Sequence, residues 1–204
     1  MKQQQIPSQL ATTKQEFEAL TLPHMDELYA TALRLTRREK DAEDLVQDTY
    51  LKAFKHFDQF ERGTNCRAWM FRILTNTFIN AYRRRVKERE ILDKQQSGQL
   101  ANFFFSKEDA ERDADPVQAI AMSGLSDDVK KALDEIPTDF RVVVVLSDLQ
   151  DFSYKEIAEI MDTPIGTVMS RLFRGRRLLR SRLEEYARRE GFISPEFMPV
   201  SVGI

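Results

Sequence analysis

Residues 162–177 read DTPIGTVMSRLFRGRR, and the pattern from Asp162 to Arg177 decides the fold. Taken as a helix from Ile165 onward at about 100° per residue, the stretch puts Ile165, Val168, Leu172, Gly175 and, just beyond it, Leu179 on one side. The opposite side carries Thr167, Ser170, Arg171 and Arg174. Upstream, Ser153 precedes Ile157, Ala158, Ile160 and Met161 at helical spacing, which predicts a first helix with a serine N-cap. Asp162-Thr163-Pro164 breaks that helix; Thr163 is placed to cap the next one, and Pro164 is tolerated in its first turn. Two helices across a tight turn, with Gly175 letting a neighbour pack closely, read as a helix-turn-helix. Its polar face suits the major groove of DNA, where Arg bonds guanine bidentately and Ser reaches several bases. A merely solvated basic helix needs neither the cap, the turn nor the glycine.

Composition sets wide limits and local charge narrows them. The chain has 204 residues, 42% of them hydrophobic, which gives room for two small domains, and a formal net charge of only -2. That sum hides an asymmetry. Arg67, Arg72, Arg83, Arg84, Arg85, Lys87 and Arg89 crowd one segment and Arg171 to Arg189 another, with Asp109, Glu111, Asp113, Asp115, Asp127 and Asp128 between them. Two basic patches across an acidic connector predict two nucleic-acid contacts. Cys66 is alone, MKQQQIPSQL lacks the apolar core of a signal peptide, and no apolar run approaches the roughly 20 residues that span a bilayer, so a cytoplasmic protein without membrane insertion is expected. With one cysteine, His24 and His56 as the histidines, and neither a phosphate loop nor a nucleophile elbow, no metal, cofactor or enzymatic activity is expected.

Upstream, Thr21-Leu22-Pro23 opens a helix with Met25, Leu28, Tyr29, Ala32, Leu33 and Leu35 at apolar positions. A second helix starts near Asp41. Ala42, Leu45, Val46, Thr49, Tyr50, Ala53, Phe54 and Phe57 form its core side; Asp41, Asp44, Gln47, Asp48, Leu51, Lys52 and Lys55 form the other, and an apolar Leu51 amid carboxylates fits a surface where a partner docks. Residues 57–65 read as a loop, with Gly63 free to take a positive φ and Thr64 or Asn65 placed to cap a long helix from Cys66 to about Lys87. That helix sets Met70, Phe71, Ile73, Leu74, Phe78, Ala81 and Tyr82 in the core and leaves Trp69, Arg72, Asn76, Asn80 and Arg83 along another side, where they can stack on and neutralise a nucleic-acid strand; core packing of Trp69 is the competing reading. Beyond a linker, Ser126 is an N-cap ahead of Val129, Leu133 and Ile136. Pro137 then opens a helix through the valine run to Leu146, which could pass for a strand but lacks a partner strand. The expected fold is all-α: two small helical domains joined by a flexible linker, with an N-terminal extension over 1–19, domains over 20–90 and 126–192, an acidic linker over 91–125 and a tail over 193–204.

Three motifs in this order resemble those of the small, two-domain extracytoplasmic-function group of bacterial sigma factors: Asp41-Ala42-Glu43-Asp44-Leu45-Val46-Gln47-Asp48-Thr49-Tyr50, Gly63-Thr64-Asn65-Cys66-Arg67-Ala68-Trp69-Met70-Phe71-Arg72-Ile73-Leu74-Thr75-Asn76, and the helix-turn-helix from Tyr154 to Arg177. The resemblance implies that residues 20–90 are region 2 and residues 126–192 region 4 of an RNA polymerase sigma factor. Asp41, Asp44, Gln47, Asp48 and Leu51 would then bind the clamp helices of the polymerase β′ subunit, and region 4 the β flap. Phe60, Arg62, Thr64 and Asn65 match the loop that captures a base flipped from the minus-10 element, with Trp69, Arg72, Asn76, Asn80 and Arg83 flanking the strand; extruding a base costs a few kcal/mol, so a snug pocket must offset it. Ser170, Arg171, Phe173 and Arg174 match positions that read the minus-35 element, with Thr167, Arg176 and Arg177 nearer phosphates. The resemblance further implies a stress or envelope regulon and an anti-sigma protein inserted between the two domains.

Met169 stands where relatives often carry Arg, which removes one guanine contact and alters the minus-35 preference. The tail from Ser194 lies beyond the family pattern. The residues alone leave two other readings open. A helix-turn-helix regulator that binds duplex DNA without polymerase would explain residues 126–190 and leave the first block unemployed. A redox sensor would use Cys66, with Arg67 and a helix N-terminus to favour its thiolate, against burial of the thiol as a small apolar cap.

Overall fold

Every regular element among the described residues, 6–96 and 125–193 of a computed structural model, is a helix, and no strand occurs among them. The expected extension over 1–19 is itself largely helical: α1 runs Ile6–Thr21. Phe17 anchors it, buried edge-on against Tyr50, Phe54 and Phe57 with ring centres 6.3, 5.2 and 5.2 Å away. Tyr50 Oη donates to the Thr21 carbonyl at 2.8 Å, and Thr21 Oγ1 to the Phe17 carbonyl at 2.8 Å. Pro23 sits in a 3-10 turn, Leu22–His24, and the helix expected to open at Thr21 starts one turn later as α2, Met25–Thr36. Met25 is consequently exposed rather than core.

Arg37 ends α2 in the left-handed region at φ 68°, its backbone N–H on the Leu33 carbonyl. The helix α3, Glu39–Lys55, follows that turn and packs on α2, burying Ala42, Leu45, Val46, Thr49 and Ala53 as its pattern requires; Phe54, expected on the same core side, stays exposed at its margin beside the Phe17 ring. A 3-10 turn, Phe57–Gln59, and a loop with Gly63 at φ 88° lead into α4, Cys66–Gln96, which runs beyond the expected end near Lys87. The apolar stretch 100–105 and the rest of the expected linker to residue 124, and the tail from Ser194, lie outside the described residues.

In the second half, Ser126 caps α5, Asp127–Asp134, accepting from Val129 N. The valine run is helical: α6 covers Thr138–Val144 and passes into a π-helical turn, Val145–Leu149, with Val142 to Leu146 all buried. A strand would have put alternate valines on opposite faces; here α6 packs on the long helix α8, Ile165–Arg189, and α7, Tyr154–Met161, packs on α8 and on α4. Gly175 is where α8 and α6 meet: a Cβ there would lie 2.7 Å from Val144 Cγ2 and 3.3 Å from the Phe140 carbonyl oxygen.

The two halves share one continuous apolar core. Phe71 of α4 meets Phe152, just ahead of α7, at 4.9 Å between ring centres. Arg141 of α6 is fully buried and reaches across, donating to the Leu35 carbonyl at 3.3 Å and to the Ile136 carbonyl at 3.2 Å. Burial, with Arg37 nearby, pushes its guanidinium down to about 9, so it stays cationic at neutral pH and depends on those carbonyls. Arg37 in turn pairs with Asp134 at 3.3 Å.

Candidate nucleic-acid interface

The outer face of α3 carries Asp44, Gln47, Asp48 and Leu51, all exposed, with Leu51 at 69%. Asp41, at its upper end, is half-buried and pairs with Arg85 of α4 at 3.3 Å. This face lies opposite the buried stripe, so a large apolar side chain stands in water amid acceptor groups. Lys52, on the same helix, turns inward to donate to Thr77 Oγ1 at 3.1 Å.

The loop ahead of α4 is held by its own residues and by Glu16 of α1. Phe60 is buried, stacked on Phe57 and 4.9 Å from the half-buried Trp69 ring, so Phe60 and Trp69 form the loop's floor rather than an outward stacking platform. Arg62 is engaged as well. Its guanidinium donates to Glu16 at 3.1 and 3.2 Å and to the carbonyls of Phe57 and Phe60, and lies 4.7 Å over the Phe57 ring. Those hydrogen bonds hold the Glu16 carboxyl below its usual range. Thr64 Oγ1 donates to the Glu61 carbonyl at 2.7 Å, while Asn65 Oδ1 accepts from Ala68 N at 3.0 Å, which makes Asn65 the cap of α4. Along α4, Arg72, Asn80 and Arg83 are exposed and Asn76 is half-buried.

Ser153 and Glu156 form a complete capping box at the start of α7, and these hydrogen bonds lower the Glu156 carboxyl. The turn departs from expectation: Thr163 does not cap α8, its hydroxyl being buried without a hydrogen-bond partner, while Asp162 takes φ 48° to close α7. On α8, Val168, Leu172 and Gly175 are buried, whereas Ile165, expected among them, is half in water. Ser170, Phe173, Arg174 and Arg177 are exposed, Thr167 is half-buried, and Arg171 lies 3.8 Å from Asp139. Arg176 is tied down by Asp148 at 2.5 and 3.1 Å, with Ser147 and Tyr154 at 3.4 and 3.5 Å, which raises its pKa.

Sequence reasoning missed the residues that join the halves. Arg67 Nε donates to Glu27 at 2.8 Å, and Nη2 to the backbone and side-chain oxygens of Gln150 at 2.9 and 3.1 Å. Asn65 Nδ2 also reaches Glu156 at 3.4 Å, which puts a residue of the loop against α7. Nothing periodic marks these positions; Phe152, a lone aromatic ahead of a cap, was the available signal. Cys66 Sγ lies 3.5 Å from the Leu20 carbonyl, and burial pushes its thiol up, opposite to what a reactive thiolate needs. Among the described residues no cluster of His, Cys, Asp and Glu could hold a metal ion, and no helix is long and apolar enough to cross a membrane.

Comparison with known proteins accounts for both halves. Residues 20–88 match the model of sigma-70 region 2, and residues 126–179 that of sigma-70 region 4. The chain is 36% identical over 172 residues to the ECF RNA polymerase sigma factor SigE of Mycolicibacterium smegmatis, a match covering 84% of this chain and 63% of that longer protein. It is 30% identical to the ECF RNA polymerase sigma factor SigW of Bacillus subtilis, covering 79% of this chain and 86% of SigW. Among solved structures, the sigma factor RpoE of Bartonella quintana, in complex with the anti-sigma factor NepR, matches with a TM-score of 0.61 at 33% identity, over 83% of this chain and 97% of RpoE. The exposed acidic face of α3, the loop capped by Asn65 and the arginine-bearing α8 thus stand in matched regions, and the chain belongs to the extracytoplasmic-function group of the sigma-70 family of RNA polymerase sigma factors.

Proposed function

We propose that the chain docks on core RNA polymerase through Asp44, Gln47, Asp48 and Leu51 of α3, reads the minus-35 element with α8, and receives an unpaired minus-10 base at the loop 60–65. The observation that carries this is Leu51, 69% exposed among carboxylates on a helix whose other side buries Ala42, Leu45, Val46, Thr49 and Ala53. A regulator acting on duplex DNA alone has no use for that face. Within this reading, Arg72, Asn80 and Arg83 meet the melted strand, Phe60, Trp69 and Arg62 shape the loop from within, and Arg174 and Arg177 meet the minus-35 groove. The chain acts by binding rather than catalysis, in the cytoplasm, for a stress or envelope regulon.

An anti-sigma protein is the expected inhibitor, by analogy with the NepR complex of RpoE. If it inserts between the halves, it must first displace the Arg67 and Phe152 contacts that now fill that space. The decisive experiment mixes the full chain with core polymerase. Co-elution and promoter-directed transcription are expected, with Asp48→Lys plus Leu51→Ala abolishing both while helix content stays unchanged. Undiminished co-elution of that variant overturns the docking assignment.

A further inference from the structure

Ile165, Met169 and Phe173 lie four residues apart on α8 and form one row, exposed by 49%, 52% and 70%. At about 100° per residue the row starts beside the buried Val168 and Leu172 and drifts outward until Phe173 stands close to Ser170 and Arg177, opposite the core. Three large apolar groups in water on a helix otherwise rich in arginine call for a ligand with apolar points on a charged frame. Resting on the reading of α8 as the minus-35 helix, we propose that Met169 and Phe173 grip thymine 5-methyl groups in the major groove and so select A·T pairs at the positions they meet.

The neighbours fit a base edge better than a phosphate. Arg176, the cation on the Met169 side of the helix, is paired with Asp148 at 2.5 Å and held by Ser147 and Tyr154, which engages its guanidinium with the π-helical turn. Gly166, one turn before Ser170, has open space where a Cβ would stand, which lets a DNA edge approach the first turn of α8. Arg174 and Arg177 supply positive charge on the far flank, complementary to a phosphate backbone. In the major groove only thymine, among the unmodified bases, offers a methyl group, and apolar side chains contact it.

The test uses the full-length chain and a duplex carrying its selected minus-35 sequence, with each thymine replaced in turn by deoxyuridine. That exchange removes one methyl and leaves every hydrogen-bonding group in place. One or two positions should lose about 4-fold in affinity, the equivalent of about 0.8 kcal/mol for one buried carbon. Met169→Ala should abolish the uracil effect at one such position and Phe173→Ala at a neighbouring one, with unchanged circular dichroism since both side chains are exposed. Placing 5-methylcytosine at a sensitive position should restore part of the affinity lost on changing that thymine to cytosine. Sequence-selective binding that is indifferent to every uracil, or a uracil effect that survives both variants, overturns the proposal while leaving α8 as the DNA reader. Variants that weaken polymerase binding and spare DNA binding overturn it in favour of a protein-docking row. Absence of any selective duplex binding by the unaltered chain removes the minus-35 reading itself.

Discussion

The guanidinium of Arg67 lies 4.2 Å from the centre of the Phe152 ring while its Nη2 donates to the Gln150 carbonyl at 2.9 Å, so one side chain at the start of α4 clasps the segment leading into α7. Glu27 and the Phe71 ring complete its surroundings. This clasp holds the two halves in a closed arrangement.

Arg67→Ala should therefore loosen the closed arrangement. Small-angle scattering should give a larger radius of gyration than for the unaltered chain. Denaturant unfolding should show a loss of about 1–3 kcal/mol, the worth of charge-assisted hydrogen bonds to buried partners. An unchanged radius would mean that Arg141 and the Phe71–Phe152 contact suffice to hold the halves together.

Phe17→Ala removes a buried ring that touches three others. The expected loss is about 3–5 kcal/mol by urea titration. Releasing α1 also releases Glu16, so the already exposed Arg62 guanidinium should lose its carboxylate partner; the rate of its modification by phenylglyoxal should rise in Phe17→Ala and in Glu16→Gln alike.

Gly175→Ala sets two effects against each other. Alanine favours the helix by about 0.8–1 kcal/mol over glycine. Its methyl, however, would stand 2.7 Å from Val144 Cγ2, a stiff β-branched group in a buried helix, and 3.3 Å from a backbone oxygen. Overpacking of this kind costs about 1–3 kcal/mol, so a net loss of stability is expected. A lower midpoint in thermal unfolding checks it.

What could be read in advance follows the range of the interactions. Ser126, Ser153 with Glu156, and the glycines at 63 and 175 act within a few residues or through the bare absence of a side chain, and each does in the structure what its local pattern predicts. The valine run reads as a helix because the sequence offers it no partner strand, and it is helical in the structure. Thr163 failed as a cap because Asp162 in the left-handed region already turns the chain, leaving Pro164 at the cap position. The interface joining the halves pairs residues such as Arg67 with Gln150 and Arg141 with Leu35, about which helical periodicity is silent. The α1 helix escapes the sequence pattern for a related reason: the contacts that hold it, among them Phe17 against the aromatic rings of α3 and the turn after it and Glu16 against Arg62, are tertiary.

Burial raises the Cys66 thiol, so less thiolate is present at neutral pH than in an exposed cysteine. Alkylation by iodoacetamide at pH 7 should be slower than for free cysteine, and the rate should climb with a midpoint above the usual thiol range. Fast alkylation at pH 7 would revive Cys66 as a redox sensor.

On the proposed reading, Arg174 and Arg176 separate base reading from scaffolding on one helix. Arg176 was expected near phosphates, but its guanidinium is committed to Asp148 through two hydrogen bonds, with Ser147 and Tyr154 beside it, and it thereby ties α8 to the π-helical turn. Arg174 is exposed on the outer face. Arg174→Ala should then cost about 1–3 kcal/mol on the preferred minus-35 duplex and relax selection at one base pair, the signature of a lost bidentate contact. Arg176→Ala should leave the selected motif intact and lower binding by a similar small factor on all sequences, because it frees α8 rather than removing a base contact. Asp148→Asn separates the two roles of Arg176 further. If Arg176 is only a strut, Asp148→Asn should reproduce the Arg176→Ala defect. If Arg176 is a phosphate ligand restrained by Asp148, the same change should strengthen DNA binding and steepen its dependence on salt, since one more counterion would be released per complex. Salt titrations of the two variants on a common duplex decide between these outcomes.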